Sequence, residues 1–339
     1  MKKFLRILIA ILILLLLLAL LAMYLSPKKM EVVESVTMDA PANMVYNQVN
    51  DFKKWESWSP WAKLDPEAVN TYSDKTSGVG AQWSWKGNED VGEGTQKIIG
   101  IEPGKAIKTS LEFNGMPGTN FSDWTFTPEG DKTKVTWTLD GAESNFFLRP
   151  FNFIFKGSVE KSYKDGLASI KEIVEERAQE KIYKGYRINE VDVPEKYYLS
   201  VRQEIKMDNV QQFYSRNLPA LFGKVTAAGI EMDGMPGVLF YKWDETNGLV
   251  DMAASIPLKE DVAVAGANMV TIPSGRAIQV DYYGDYDGSV NAHYAIDDYM
   301  QDYGILSNVP IVEEYVTDPT VEKDPKKWLT KITYYIAEN

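Results

Sequence analysis

The chain has 339 residues, with 36 basic and 48 acidic side chains, one histidine and no cysteine. That length is about two domains' worth, and a hydrophobic content of 45% is enough to fill their cores. Without cysteine, a disulfide scaffold, a thiolate zinc site and a thiol nucleophile are excluded, and histidine chemistry can rest only on His293. The acidic balance argues against nucleic acid as a partner, because phosphate binding is dominated by Lys and Arg.

The first 29 positions hold Lys2, Lys3, Arg6, Lys28 and Lys29 but no acid, so an acidic body follows a basic, apolar leader. Residues 4–25 are apolar except for Arg6. As a helix they would span about 33 Å, against about 30 Å for a hydrocarbon core. A signal peptide has a shorter apolar core and a small-x-small cleavage site. Ala22-Met23-Tyr24-Leu25-Ser26-Pro27 is a poor match to such a site, and no cysteine follows to carry a lipid. Residues 1–29 therefore read as an uncleaved single-pass anchor that meets the bilayer through residues 4–25. Tyr24 and Lys28-Lys29 would sit at its interface. The slight excess of positive charge before the span directs the body out of the cytoplasm.

Strand-like alternation begins at Glu31, and Asp39-Ala40-Pro41 can start a helix over 42–50. Trp55, Trp58 and Trp61, three residues apart, fall on neighbouring faces of a helical turn or line one loop. Short strands then alternate with turns from Trp83 to Leu139. A long helix is expected over about 151–181, its apolar stripe running through Ile154, Phe155, Val159, Tyr163, Leu167, Ile170 and Val174.

In this order, Asp39-Ala40-Pro41, Phe52…Trp55…Trp58-Ser59-Pro60-Trp61, Gly78-Val79-Gly80…Trp83, Thr133-Lys134-Val135-Thr136-Trp137 and Gly166-Leu167 resemble the SRPBCC superfamily. That superfamily is also described as START-like or polyketide-cyclase-like, and the resemblance covers residues 30–181. It implies a helix-grip fold, an antiparallel sheet around a long C-terminal helix with a deep apolar cavity between them. Members bind lipids, sterols or polyketides, and only some are enzymes. Seven of the nine tryptophans lie in this part. Trp55, Trp58, Trp61, Trp83, Trp85, Phe113 and Trp124 are the candidate cavity residues, although an aromatic-rich core is the commoner role for any one of them. Nothing in 30–180 looks like a catalytic pair.

A second α+β pattern begins at Tyr186, with the order β-β-α-β-β repeated once. Three stretches carry a resemblance to the GyrI-like fold, shared with effector-binding domains of AraC-type and MerR-type regulators. They are Gly237-Val238-Leu239-Phe240-Tyr241-Lys242-Trp243, Ile272-Pro273-Ser274-Gly275-Arg276 leading to Tyr282-Tyr283-Gly284, and Pro310-Ile311-Val312-Glu313-Glu314-Tyr315 with Trp328-Leu329-Thr330. The resemblance covers residues 186–339, and no helix-turn-helix segment is attached. It implies a buried glutamate at Glu313 in an aromatic pocket that takes cationic or polar aromatic ligands. The candidate walls are Tyr241, Trp243, Tyr282, Tyr315, Trp328 and Tyr334. Strand alternation alone leaves Glu313 and Glu314 equal, one facing in and the other out. His293 lies among Asn291, Tyr294, Asp297 and Asp298 and is expected on the exposed face of its helix.

The whole reads as an α+β, membrane-anchored protein with two small-molecule modules. The START-like one suits a hydrophobic ligand and the GyrI-like one a cationic aromatic ligand, with no metal, cofactor or nucleic acid expected. One alternative is a hydrolase of electrophilic small molecules, with Glu313 activating water and Tyr315 or Tyr241 donating a hydrogen bond. The other is an interaction module with side-chain-filled cavities, which predicts no ligand-sized pocket in either domain. Sensing through a partner protein stays open.

Overall fold

A computed structural model describes residues 2–337. The chain forms two compact units, Met1–Gln179 and Glu180–Asn339.

The first unit opens with helix α1 (Lys2–Leu25). Residues 3–25 are long and apolar enough to cross a membrane by length and composition, and none of this stretch is buried. Then come β1 (Glu31–Met38), α2 (Ala42–Asn50), a 3₁₀ helix (Phe52–Ser57) and α3 (Pro60–Leu64). Six strands follow, β2 (Val69–Tyr72), β3 (Gln82–Lys86), β4 (Glu93–Glu102), β5 (Ala106–Phe113), β6 (Asn120–Glu129) and β7 (Lys132–Asp140), before the long helix α4 (Arg149–Glu180). The antiparallel sheet has the order β1-β7-β6-β5-β4-β3-β2, so the first strand pairs with the last. The 3₁₀ helix is opened by Asp51, whose carboxylate accepts from Lys53 N, and Pro60 occupies the first turn of α3, where its missing N–H is not needed.

Helix α4 buries Tyr163, Gly166, Leu167, Ile170 and Val174, the three- and four-residue steps of one helical face. Gly166 has a steric reason: a Cβ there would lie 2.9 Å from the Trp137 ring and 3.2 Å from Pro60. The apolar stripe expected farther upstream is not packed. Ile154 and Phe155 are exposed, and Phe155 and Val159 border a cavity instead of meeting the sheet.

The second unit begins with a small ladder of β8 (Ile182–Tyr183) and β9 (Tyr186–Arg187). Its first half comprises β10 (Asn189–Val193), β11 (Lys196–Lys206), α5 (Val210–Ala228), β12 (Gly237–Asp244) and β13 (Leu249–Leu258). The second half comprises β14 (Asn268–Ile272), β15 (Gly275–Tyr283), α6 (Val290–Tyr303), β16 (Ile311–Tyr315) and β17 (Leu329–Tyr335). Both helices end in a glycine in the left-handed conformation, Gly229 and Gly304, which an L side chain would strain.

The eight strands have the order β10-β15-β17-β16-β12-β13-β11-β14, in which the halves exchange when read from opposite edges. They meet at β12 and β16, where Val238 faces Glu313 in register. One face of the curled sheet packs against α5 through Leu199, Val238, Met252 and Ile256, and against α6 through Ile278, Val280 and Ile332. The other face closes on itself around Tyr198, Leu239, Ala253, Ala277, Val312 and Tyr335.

Candidate functional site

The first unit holds a cavity of about 1340 Å³, larger than the usual few hundred to about 1,000 Å³ of a small-molecule pocket. Its aromatic wall is built from Trp55, Trp61, Trp83, Trp85, Trp137 and Tyr163. Trp83 and Trp85 share a face of β3 because strand side chains repeat every second residue. Trp137 of β7 stacks on Tyr163 of α4 with ring centroids 3.8 Å apart.

The polar atoms of the wall are tied to one another. Trp137 Nε1 donates to Ser122 Oγ at 2.8 Å, and Ser122 Oγ lies 3.1 Å from Tyr163 Oη. Trp83 Nε1 donates to Asn70 Oδ1 at 2.8 Å. Burial pushes the Tyr163 hydroxyl well above its ordinary range, so it stays neutral. Two of the three bordering carboxylates are engaged as well: Glu56 Oε1 accepts from Tyr72 Oη at 2.7 Å, and Asp65 Oδ2 from Asn88 N at 2.6 Å, while Glu143 is exposed. The wall presents aromatic faces, with the N–H groups of Trp55, Trp83, Trp85 and Trp137 and the Tyr163 hydroxyl engaged in hydrogen bonds.

Trp55, Trp61, Trp83 and Phe113 thus border the cavity, whereas Trp58 and Trp124 do not reach it. Both are fully buried behind the wall. Trp124 stacks on Trp137 at 4.2 Å, and Trp58 meets the edges of Trp124 and Trp137 at 5.7 and 5.8 Å. Trp58 is a core residue because the chain turns at Ser59-Pro60, which separates it from Trp61 at the cavity, and Trp124 is one because it lies in β6 under Trp137.

In the second unit, Glu313 sits in the middle of β16 with 4% of its surface exposed. His293 Nε2 lies 2.6 Å from Glu313 Oε1, and His293 Nδ1 lies 3.0 Å from Tyr334 Oη. Ser289 Oγ donates to the same Oε1 at 3.3 Å, while Tyr315 Oη donates to Oε2 at 3.3 Å. A neutral ring that donates to Glu313 accepts from Tyr334; a protonated ring donates to both. Burial pushes the Tyr315 and Tyr334 hydroxyls upward, so both remain protonated donors. Oε1 carries two partners and Oε2 only the long bond from Tyr315, which leaves Oε2 the less engaged oxygen.

His293 therefore does not lie on the exposed face of α6, as its polar neighbours suggested, but reaches the carboxylate. Nor do the two glutamates divide into one buried and one solvated. Glu314 occupies the opposite face of the sheet, where it pairs with Lys196 at 2.8 Å and accepts from Tyr198 Oη at 3.3 Å.

Aromatic rings lead outward from Glu313. Tyr315 meets Tyr214 of α5 at 6.3 Å and Tyr286 at 4.6 Å, and Tyr286 stacks on Trp328 at 5.2 Å. On the other side Phe240 lies 6.1 Å from His293 and 5.7 Å from the half-exposed Trp243. A β-bulge between Phe240 and Lys242 puts Phe240 and Trp243, three residues apart, on one face. Tyr241, next to Phe240, lies with Leu239 on the opposite face by strand alternation, where the Arg202 guanidinium covers its ring at 3.5 Å, so Tyr241 is not part of this site. Tyr282 is also absent from the group around Glu313. It is buried against α6, and its hydroxyl donates to Asp285 O at 2.8 Å. Sequence reasoning missed His293, Ser289, Tyr214, Phe240 and Tyr286. Among the described residues no group of three or more His, Cys, Asp or Glu side chains could hold a metal ion.

Comparison with known proteins gives two family matches. Residues 29–175 match the family described as polyketide cyclase / dehydrase and lipid transport, and residues 186–336 match the GyrI-like small molecule binding domain. No curated protein matches the chain. Among solved structures, an EcmrR–DNA complex is similar at 18% identity, with a TM-score of 0.42 over 58% of this chain and 73% of that one. The EcmrR C-terminal domain is similar at 19% identity, with a TM-score of 0.41 over 45% of this chain and 99% of that one. The Aha1 dimer from Colwellia psychrerythraea is similar at 16% identity, with a TM-score of 0.34 over 43% and 96%. The chain thus joins a polyketide cyclase / dehydrase and lipid transport domain to a GyrI-like small-molecule-binding domain, behind an apolar N-terminal helix.

Proposed function

We propose that this is a membrane-anchored binding protein with two small-molecule sites of opposite character. The first unit takes a hydrophobic, lipid-like ligand. The observation that carries this reading is the cavity of about 1340 Å³ with its aromatic wall, in which the polar atoms of Trp83, Trp137 and Tyr163 are hydrogen-bonded within the protein. Such a wall favours apolar area and offers no acid–base pair for turnover. The reading of both cavities as filled by side chains loses its support in this unit.

The second unit takes a cationic or polar aromatic ligand at Glu313, between Tyr315, Tyr334, Phe240 and Trp243. A buried carboxylate is costly unless a positive partner or donors meet it, and aromatic faces add cation–π attraction. Hydrolysis is the second reading. Tyr315 Oη at 3.3 Å from Glu313 supports it, as a donor beside a carboxylate that could activate water. Residues 3–25 span the membrane once, and the charges of Lys2, Lys3 and Arg6 favour a body outside the cytoplasm.

Native mass spectrometry of the full chain released from detergent micelles tests the two sites together. Leu111→Trp, which fills the first cavity, is expected to lose a co-purifying apolar ligand and keep a cation. Glu313→Gln is expected to do the reverse. An apolar ligand retained by Leu111→Trp sinks the first assignment, and cation binding unchanged in Glu313→Gln sinks the second. Turnover of an aryl ester that disappears in Glu313→Gln would replace binding by hydrolysis.

A further inference from the structure

The start of α4 breaks the rule that a helix of a soluble protein hides its apolar residues. Phe151, Phe153, Ile154 and Phe155 are all exposed, Phe153 at 73%, and they surround the axis instead of forming one stripe. Phe147, at 68%, lies two residues before the helix, and Met116, at 70%, lines the same cavity as Phe151 and Phe155. A contiguous apolar surface of this kind marks an interaction site.

Two further observations say what covers it. The exception among these residues is Asn152, which is mostly buried and anchors the helix start to the chain that emerges from α1. Its Nδ2 donates to Pro27 O at 3.0 Å, and its Oδ1 accepts from Ser144 Oγ at 3.1 Å. Ser144 N in turn donates to Lys28 O at 2.8 Å. The patch is therefore fixed within one hydrogen bond of the point where the apolar helix of residues 3–25 ends. In addition, the large apolar wall residues of the cavity that are also exposed are Met116, Leu148, Phe151 and Phe155. The cavity reaches the surface through the patch.

We propose that this patch docks in the leaflet from which α1 emerges and opens the first cavity directly to membrane lipid, so that the ligand is a lipid acyl chain taken from the bilayer. Phe147, Phe153 and Ile154 sit among the headgroups and upper acyl chains, where aromatic and aliphatic side chains of interfacial helices lie. Lys28 and Arg149, whose guanidinium lies over the Phe146 ring at 5.6 Å, place positive charge near the helix start for anionic headgroups, while Lys156 is paired with Glu160 at 3.7 Å. Phe151 and Phe155, stacked with centroids 5.9 Å apart, line the mouth between lipid and cavity. The inference rests on reading residues 3–25 as a span and the first cavity as a ligand site, and its test separates all three.

The absence of cysteine allows single labels. Phe153→Cys and Ile99→Cys, an exposed control on β4, each receive one fluorophore in the full chain reconstituted into phosphatidylcholine–phosphatidylglycerol vesicles. Nitroxides on the lipid acyl chains are expected to quench the label at 153 several-fold more than the label at 99. Equal quenching in protein that resists alkaline extraction overturns the docking and keeps the span, whereas release by alkali removes the span. The pair Phe153→Asp with Ile154→Asp leaves the cavity wall intact. It is expected to slow uptake of a fluorescent fatty acid from vesicles about tenfold, equivalent to a barrier increase of about 1.4 kcal/mol. Uptake of the same fatty acid as a monomer in solution is expected to be unchanged. Equal uptake from vesicles by this variant and wild type overturns the docking, and no uptake by wild type from solution overturns the cavity reading. Cross-linking of two chains through position 153, without quenching, would assign the face to a second copy and overturn the lipid route.

Discussion

The two units solve the problem of holding a small molecule in opposite ways. The cavity of the first is a largely apolar space framed by indole and phenol rings, three of its polar groups bonding to one another in Trp137–Ser122–Tyr163. Its selectivity comes from area and shape, and one methylene more or less changes affinity only modestly. The second is centred on one carboxylate, Glu313, enclosed by His293, Ser289, Tyr315 and Tyr334. In the proposed reading its selectivity comes from sign, because a buried charge without a partner costs several kcal/mol. The difference is visible in one register pair of the duplicated domain. Val238 and Glu313 face each other across β12 and β16, an aliphatic side chain in one half opposite a carboxylate in the other. The repeat supplies the frame and a single residue supplies the charge.

The largest expected effect separates rings that brace the first cavity from rings that line it. Trp58 is fully buried and touches Trp55, Trp124 and Trp137 edge-on or tilted. Trp58→Ala is expected to cost about 3–5 kcal/mol of stability, the range for removing a buried aromatic. Trp83→Ala is expected to cost less, since the ring is only partly buried, but to weaken an apolar ligand about tenfold. Thermal melts and titration with a fluorescent fatty acid read the two quantities. If Trp83→Ala destabilises as much as Trp58→Ala and leaves binding unchanged, the division into brace and wall is wrong.

Next in size is the partner of the carboxylate. His293→Leu leaves Glu313 Oε1 with the long Ser289 bond alone, and a buried acceptor that loses its donor costs about 1–3 kcal/mol. The same change removes a competitor for an incoming cation. Melting temperature is therefore expected to fall while affinity for an aromatic ammonium rises, measured by calorimetry on the full chain. A parallel loss of both would mean that His293 itself holds the ligand.

How much of this was legible beforehand depends on what each feature needs. The main strands, the long helices and the duplication follow from local periodicity and motif order, whereas α3, β2 and the β8–β9 ladder are too short to show a period, and the choice of Glu313 over Glu314 comes from the family resemblance. The Glu313–His293 pair spans 20 residues and joins a helix to a strand, and Asn291, Asp297 and Asp298 made that helix face look solvated. The signal that could have found it is chemical: a carboxylate expected to be buried needs a donor, and the chain has one histidine, on the helix just before β16. Trp58 was misplaced because spacing of three residues keeps neighbouring faces only while a helix continues, and Ser59-Pro60 interrupts it. The exposed start of α4 was read as core because periodicity reports an apolar stripe without saying what lies against it.

The smallest expected effect tests the sheet's two faces. Without the bulge, strict alternation would put Phe240 and Trp243 on opposite faces. Tyr241, two residues after Leu239, lies on the curled interior face by alternation, under Arg202, which is also held by Asp251 through two bonds of 2.9 and 2.6 Å. Tyr241→Leu removes a partly exposed cation–π contact worth about 0.5–1 kcal/mol and little else. Cation affinity at Glu313 is expected to match wild type, whereas Phe240→Leu, on the Glu313 face, is expected to weaken it a few-fold through loss of an aromatic wall. Calorimetric titration of the two variants side by side decides which face carries recognition. If Tyr241→Leu gives the larger loss, the cation enters the curled interior beside Glu314, whose Lys196 partner it would have to displace. The assignment of recognition to the Glu313 face of the sheet would then fail.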